Sequence, residues 1–294
     1  MLIALLISTL TFAAPLVLAA LGGYVSERSG VINIGLEGKM LMAACVTALT
    51  AVAFNNPWAG AACGIGSAVL LSLLHWLLTQ KFAFDHIISG MAINALAMGG
   101  TNFLDRAFTD TSRTDGAPIL PSLTIHLGGS GAFQISIYLV LAFVLPGMIA
   151  YYVQRSRAGL RLLAVGNDPE KARLMGVRPL RVRFLAQIAT GVLTGLAGAM
   201  ILSNVTRFTN EMTAGRGYIA LAALIIGGWR PIQAALACLA FGLFDAIQLQ
   251  LQGTNIMGAK IPSEAWSALP YLVTVIALAG FLGRSRAPLG LGKP

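Results

Sequence analysis

The side chains of this 294-residue sequence best suited to chemistry are polar residues isolated within long apolar stretches. Asp245, Gln248 and Gln252 are spaced by three and four residues, which places them on one face of a helix. Asp245 is also the only acidic residue well inside an apolar segment. Because a polar group in hydrocarbon costs free energy unless it is paired or hydrated, the stripe predicts a polar path for a solute. The alternatives are a polar clamp between helices, or an Asp245 side chain close to the outer membrane interface.

Two asparagines extend this set of candidates. Asn94 stands near the middle of an apolar segment, where packing between helices and contact with a solute are equally compatible with its amide. Asn33 and Glu37 share one helical face. For Glu37 we favour an ion pair with Lys39 or Arg28 over a role in a path. The candidate path residues are Asn33, Asn94, Asp245 and Gln248.

The sequence offers no nucleophile–base pair and no carboxylate dyad, so we expect that it is not an enzyme. The stretch nearest to an ATP-binding loop, Gly-x4-Gly-Lys-Ser/Thr, has Asn33 in the first glycine position and Met40 in the hydroxyl position. ATP hydrolysis would therefore require a separate chain. The cysteines and histidines are scattered without the spacing of a metal site or a disulfide framework, so we expect no bound metal or cofactor.

The elements that must position these residues are membrane helices. Hydrophobic residues make up 56% of the chain, charged residues 11%, and the mean hydropathy is +0.77, too apolar for a water-facing surface. Continuously apolar runs of about 20 residues indicate spanning helices rather than barrel strands. We predict an all-α, polytopic membrane protein, a single domain over residues 1–294, with about nine segments, some of them broken or re-entrant. The segments are 2–21, 33–54, 58–79, 86–104, 132–153, 184–205, 216–229, 231–251 and 266–283, of which 216–229 is short enough for a re-entrant half-helix.

Small residues recur along the segment 184–205. The spacing Gly191-x3-Gly195 is typical of helices whose backbones approach closely. We therefore interpret this stripe as a packing surface.

The basic residues predict an orientation. Residues 154–183 contain eight basic side chains and two acidic ones, and basic residues accumulate in cytoplasmic loops. Alternating the nine segments from that loop leaves 15 basic residues inside and five outside, with the N-terminus outside and the C-terminus cytoplasmic. The net charge of +9 therefore indicates membrane topology rather than a nucleic-acid partner.

The cytoplasmic loop 154–183 contains the signals of a short helix. Asn167 or Asp168 can cap a helix whose first turn holds Pro169 and Glu170, and Gly176 can end it. A helix of about two turns is marginal by itself, so another surface should pack on it. The alternative is a solvated basic connector held near anionic lipid.

Three long motifs carry a resemblance to a known family. They are Glu27-Arg-Ser-Gly-Val-Ile-Asn-Ile-Gly-Leu-Glu-Gly38, Ala164-Val-Gly-Asn-Asp-Pro-Glu-Lys-Ala-Arg-Leu-Met-Gly176, and the segment from Gly215-Arg-Gly-Tyr to Gly-Gly-Trp-Arg-Pro231. Together they resemble permease subunits of ATP-binding-cassette importers for simple sugars and nucleosides, and the nucleoside type most of all. The likeness extends from about residue 20 to 285. Branched-chain amino acid permeases are more distant relatives with a related first motif.

The resemblance implies a function and a set of partners. The chain would translocate nucleosides or related simple sugars through a bacterial-type plasma membrane, after delivery by an extracytoplasmic binding protein. A second, non-identical permease would complete the path, and a cytoplasmic ATPase would use the ATP. The ATPase would receive a coupling helix in the cytoplasmic loop. The residues implied for that coupling are Gly166, Asn167, Asp168, Pro169, Glu170, Ala172 and Gly176.

A second interpretation needs no ATPase. An autonomous ion-coupled transporter of a small polar solute would use Asp245 as its proton carrier, and the cytoplasmic loop would be a mere connector. A single acidic residue within the apolar segments is weak support for ion coupling. The sequence also shows no clear internal repeat of the kind often found in such transporters.

Overall fold

The computed structural model describes residues 2–108, 116–127, 131–251, 255–256, 259–260, 272, 275 and 287–293. Within these residues, the chain forms ten α-helices and two short antiparallel hairpins. The helices are α1 (Leu2–Arg28), α2 (Leu36–Phe54), α3 (Pro57–Trp76, continued by a π-helical turn Leu77–Lys81), α4 (His86–Phe108), α5 (Ile137–Arg155), α6 (Arg157–Asn167), α7 (Pro169–Leu174), α8 (Pro179–Val205), α9 (Arg216–Ile226) and α10 (Pro231–Leu251). The strands are β1 (Ser122–Leu127) paired with β2 (Gly131–Ser136), and β3 (Asn255–Ile256) paired with β4 (Ala259–Lys260).

Seven helices in the described part of the chain are long and apolar enough to cross a membrane: α1 to α5, α8 and α10. The 11-residue α9 rises only about 16 Å, roughly half of a hydrocarbon core, so it cannot cross by itself. The predicted count of nine spans is therefore not confirmed. The predicted segment 266–283 falls outside the described residues, apart from Leu272 and Val275.

The fifth long helix starts later than predicted. The apolar run that begins at residue 132 first forms strand β2, and α5 begins at Ile137. The Ser136 hydroxyl accepts a hydrogen bond from the Leu139 N–H at 3.2 Å, which satisfies one of the free donors at the start of a helix. Hydropathy alone does not distinguish the end of a strand from the first turn of a helix.

Helix α1 lies at the centre of the bundle, packed against α10, α8, α9 and α5. Its residues Leu16, Val17 and Leu18 have no exposed surface. Helix α8 joins this core to α3 through the predicted small-residue stripe. An ideal Cβ built on Gly191 would lie 2.5 Å from the Val69 Cα, and one on Gly195 would lie 2.7 Å from the Ile65 Cα. The close-packing prediction is confirmed, because only glycine leaves room for these backbones.

The connection from α1 to α2 folds back beside α1. A Cβ on Gly23 would lie 3.1 Å from the Leu36 Cδ1 atom, so α2 begins beside α1 rather than beyond its end. The Ser26 hydroxyl donates to the Val31 carbonyl at 2.8 Å and holds the turn between them. As a result, the first residues of α2 lie within the helix bundle, where they form part of the site described next.

Candidate functional site

The first turns of α2 and α9 meet inside the bundle beside α4, and we call this place the α2–α4–α9 junction. A Cβ on Gly217 would lie 2.5 Å from the backbone nitrogen of Glu37, so the first turns of α9 and α2 are in backbone contact. A Cβ on Gly35 would lie 3.3 Å from the Gly90 carbonyl oxygen of α4. The junction is thus built by backbone approach at glycines of three different elements.

Glu37 caps the start of α9 from a distance of 178 residues in sequence. One carboxylate oxygen accepts from the Gly215 N–H at 2.8 Å, and the other accepts from the Gly217 N–H at 2.6 Å. These N–H groups have no partner within α9, and the positive end of the helix dipole favours a carboxylate there. The predicted ion pair of Glu37 with Lys39 or Arg28 is wrong, because the helix start engages both carboxylate oxygens.

Asn94 caps the start of α2 in a similar way and also contacts α9. Its Oδ1 atom accepts from the Gly38 N–H at 2.8 Å, which is a donor in the first turn of α2. Its Nδ2 group donates to the Ile34 carbonyl at 3.1 Å and to the Tyr218 hydroxyl at 2.9 Å. Asn94 lies eight residues into α4, about 12 Å along the helix from its start.

Tyr218 is the junction residue with the most accessible side chain. It is 48% exposed, whereas Asn94 is half-buried. The hydrogen bond from Asn94 uses the Tyr218 oxygen as an acceptor, so the phenolic O–H can still donate. The junction therefore presents an aromatic ring and a hydroxyl donor at its open side.

Asn33 belongs to the interior of the junction rather than to its open side. Its Oδ1 atom accepts from the Lys39 ammonium at 2.8 Å, and both side chains are completely buried. Lys39, one of the basic residues assigned to the inside, is thus a buried residue of α2 rather than a loop residue. Arg183, at the end of the predicted loop 154–183, is 1% exposed within α8.

The other two predicted path residues, Asp245 and Gln248, lie on α10 and are half-buried. The chief neighbours of this helix are α1, α9 and α5. Asp245 interacts electrostatically with Arg216, the first residue of α9. The structure thus joins Asn33 and Asn94 at the junction and leaves Asp245 and Gln248 on a neighbouring helix, while Gln252 lies outside the described residues.

A second candidate region, which we call the coupling region, consists of α6, α7 and the residues up to Gly176. Asp168 is the residue that caps α7: its Oδ1 atom accepts from the Lys171 N–H at 3.0 Å. This hydrogen bond, together with the Lys171 ammonium at 3.1 Å, holds the pKa of Asp168 below its usual value of 3.8. Pro169 occupies the first helical position, and Gly176 has a φ of +81°, a left-handed conformation that suits glycine.

The coupling region is attached to the membrane helices through Gly166. Its carbonyl accepts from the Gly290 N–H at 2.9 Å, and any Cβ at Gly166 would collide with the Arg28 carbonyl at the end of α1. Ala172 is buried, whereas Glu170 and Asn167 are exposed. Leu174 and Met175 are 84% and 85% exposed, so this apolar tip has no packing partner among the residues that the structure describes.

Sequence reasoning missed three participants at these sites: Tyr218, the capping role of Glu37, and the attachment of the C-terminal segment at Gly166. Tyr218 and Gly217 belong to the motif around Gly215, which was a usable signal. The other two contacts join residues far apart in sequence and leave no local pattern. Across the described ranges, no three His, Cys, Asp or Glu side chains are grouped as a metal site would require.

Comparisons with known proteins match this chain over nearly its whole length. Residues 5–278 match a family described as the permease component of branched-chain amino acid transport systems. The guanosine ABC transporter permease NupQ of Bacillus subtilis is 36% identical, with 98% of this chain and 94% of NupQ covered. The nucleoside ABC transporter permease NupC of Lactococcus lactis is 34% identical, with 95% and 92% covered. The guanosine ABC transporter permease NupP of Bacillus subtilis is 24% identical, with 87% and 76% covered.

Proposed function

Because this chain belongs to the family of permease components of branched-chain amino acid transport systems, it is a membrane-spanning permease subunit of an ATP-binding-cassette importer, and we propose that its cargo is a nucleoside. The observation that carries the cargo proposal is the 34–36% identity, over most of the chain, to two permeases named for nucleosides. Simple sugars are the alternative cargo within the same class. An autonomous ion-coupled transporter is not favoured by these relatives.

The proposed partners follow from the two candidate regions. A cytoplasmic ATPase, which binds and hydrolyses the ATP, docks on the coupling region, and its cycle moves α7. A binding protein delivers the cargo on the opposite face. The second permease is a different chain. That proposal is supported by the presence in Bacillus subtilis of two distinct relatives, NupQ and NupP, both named for guanosine.

The proposed orientation places the N-terminus outside and the C-terminus in the cytoplasm of a bacterial-type plasma membrane. The excess of basic residues in 154–183 supports a cytoplasmic coupling region. The hydrogen bond between Gly290 and Gly166 supports a C-terminal segment on the same side as that region. Lys39 and Arg183 are buried and no longer count as loop residues, but the basic residues assigned to the inside still outnumber those assigned to the outside.

The translocation path, in this proposal, runs along the open side of the α2–α4–α9 junction. Broken or half-length helices that start near the middle of a membrane are a common construction for solute sites in transporters. The Tyr218 ring supplies an aromatic surface for a nucleobase, and its hydroxyl supplies a donor for a polar edge. Asp245 and Gln248 are further candidate path residues on α10, whereas Asn33 has a structural role behind the junction.

The experiment that tests the proposed function is purification of the tagged chain from its native membrane in mild detergent, followed by mass spectrometry. We expect an ATPase and a second, non-identical permease to be recovered with it. Reconstitution of that complex with its binding protein should then give ATP-dependent nucleoside uptake. Recovery of the chain alone in several detergents, with uptake driven by an ion gradient, would contradict the proposal.

Replacing Tyr218 tests the path. We expect Tyr218→Ala to lower nucleoside uptake roughly fivefold or more, because stacking of a base on an aromatic ring contributes about 1–3 kcal/mol. Tyr218→Phe keeps the ring and should retain most uptake. The measurement is uptake of radiolabelled nucleoside per assembled complex. Equal uptake by all three proteins would remove Tyr218 from the path.

A further inference from the structure

The C-terminal segment Ala287–Lys293 is fixed to the body of the protein at three points. The Gly290 N–H donates to the Gly166 carbonyl at 2.9 Å, and the Gly292 N–H donates to the Gly30 carbonyl at 2.9 Å. The Lys293 carbonyl accepts from the Arg183 guanidinium at 2.9 Å. We call this segment the C-terminal clasp, because it joins the coupling region to the α1–α2 turn.

Buried groups reinforce the third attachment point. Besides Lys293, the Arg183 guanidinium donates to the Ser29 carbonyl at 3.2 Å and to the Gln80 side chain at 2.5 Å. Hydrogen bonds to a buried charged group are among the stronger ones in proteins. The end of the clasp is thus held by the same side chain that ties α8 to the α1–α2 turn and to the π-helical turn after α3.

The clasp passes directly beside the start of α7. A Cβ on Gly290 would lie 2.8 Å from the Gly166 carbonyl oxygen and 3.3 Å from the Pro169 Cδ atom. Gly290 itself is buried at this contact, whereas the preceding residue, Leu289, is 80% exposed. The backbone is therefore anchored while this leucine side chain points away from the protein.

Leu289, Leu174 and Met175 share an unusual property. With exposures of 80%, 84% and 85%, they are the most exposed large hydrophobic residues in the described part of the chain. All three belong to the α7 helix, its end, or the clasp that contacts its first residue. Leu174 lies only five residues, about 8 Å, along the helical path from Pro169. Exposed apolar side chains grouped in this way, with charged residues around them, are typical of a protein interface.

We propose that the C-terminal clasp, through Leu289, forms a second part of the surface that receives the cytoplasmic ATPase, beside Leu174 and Met175 of the coupling region. This proposal rests on the proposed function, which supplies the ATPase as the occupant. The clasp lies beside the start of α7, because its Gly290 N–H donates to the carbonyl of Gly166, one residue before the end of α6.

The clasp also gives the docked ATPase a direct connection to the membrane helices. A movement imposed on Leu289 reaches Gly30 in the α1–α2 turn and Arg183 in α8 through two hydrogen bonds of 2.9 Å. The α1–α2 turn leads within six residues to the first turn of α2 at the α2–α4–α9 junction. An ATPase docked on both α7 and the clasp would therefore transmit its movement to the translocation path by two routes.

The test compares ATPase recovered with tagged variants of the full chain, purified from native membranes in mild detergent. We expect Leu289→Asp to lower ATPase recovery per permease roughly tenfold or more, as Leu174→Asp should. Leu289→Met should retain ATPase, and so should Lys293→Ala, which keeps the carbonyl bonded to Arg183. Full recovery with Leu289→Asp, alongside loss with Leu174→Asp, would overturn the proposal.

A second measurement covers the case in which Leu289→Asp lowers the yield of the permease itself. A photo-crosslinking residue at position 289, in an otherwise unaltered complex, should give an adduct with the mass of permease plus ATPase. Adducts with lipid alone would overturn the clasp proposal. Failure of the wild-type chain to retain any ATPase is a different outcome, since it contradicts the proposed function rather than the clasp.

Discussion

Glu37→Gln is expected to lower cargo uptake roughly tenfold or more while the chain still inserts into the membrane. The carboxylate accepts two backbone N–H groups at the start of α9, at 2.8 and 2.6 Å. A glutamine offers one acceptor oxygen and turns its own NH2 group towards the second donor. A buried donor without a partner costs about 1–3 kcal/mol, and the charge that favours the positive end of α9 is lost as well. The start of α9, which carries Tyr218, should then shift or fray.

The measurement is ATP-dependent uptake per assembled complex, together with the thermal stability of the purified complex. The matched control is Glu211→Gln, the same chemical change four residues before Gly215, where the side chain is exposed. We expect the control to behave as the unaltered protein. Wild-type uptake in Glu37→Gln would show that the position of α9 does not depend on this carboxylate.

Much of the fold was predictable because a membrane helix is specified by a local property, its uninterrupted apolar length. The run predicted at 231–251 coincides with α10, and the run at 86–104 lies within α4. Where the prediction failed, the residues around the boundary are apolar on both sides. The turn before α2 contains Val31, Ile32 and Ile34, so hydropathy gave a start at 33 instead of 36. Helix starts of this kind are fixed by tertiary contacts, such as Asn94 with Gly38.

The two candidate regions differ in how much of them the sequence reveals. The cap of α7 is a contact over three residues, from Asp168 to Lys171, and capping patterns of that length can be recognised directly. The α2–α4–α9 junction depends on contacts over 56, 124 and 178 residues. No local pattern records such contacts, although the glycines at 215 and 217 mark a place where backbones approach closely. Asn94 could be recognised as a candidate because it is a polar residue within an apolar segment, whereas the capping role of Glu37 could not be recognised from the sequence.

The coupling region supplies the second large expected effect. Asp168→Ala should uncouple ATP hydrolysis from uptake: ATPase activity persists, while uptake per ATP hydrolysed falls several-fold. Helix α7 has only six residues, too few for stability without its cap and its packing. Without the Asp168 carboxylate, the Lys171 N–H loses its partner and the start of α7 frays, so movement of the ATPase is transmitted poorly. Asp168→Asn keeps an acceptor oxygen and should give an intermediate effect.

The pH dependence of this cap has a definite sign. Since the folded state holds the pKa of Asp168 below 3.8, the stabilisation is fully present above the unfolded value and disappears only as the pH falls through the lowered pKa. Coupling should therefore be insensitive to this group near neutral pH. The matched control is Asp85→Ala, because Asp85 caps α4 in the same way, by accepting from the Ile87 N–H at 2.8 Å, but lies outside the coupling region. If both variants lower uptake per ATP equally, the effect belongs to helix capping in general, and the coupling assignment of α7 fails.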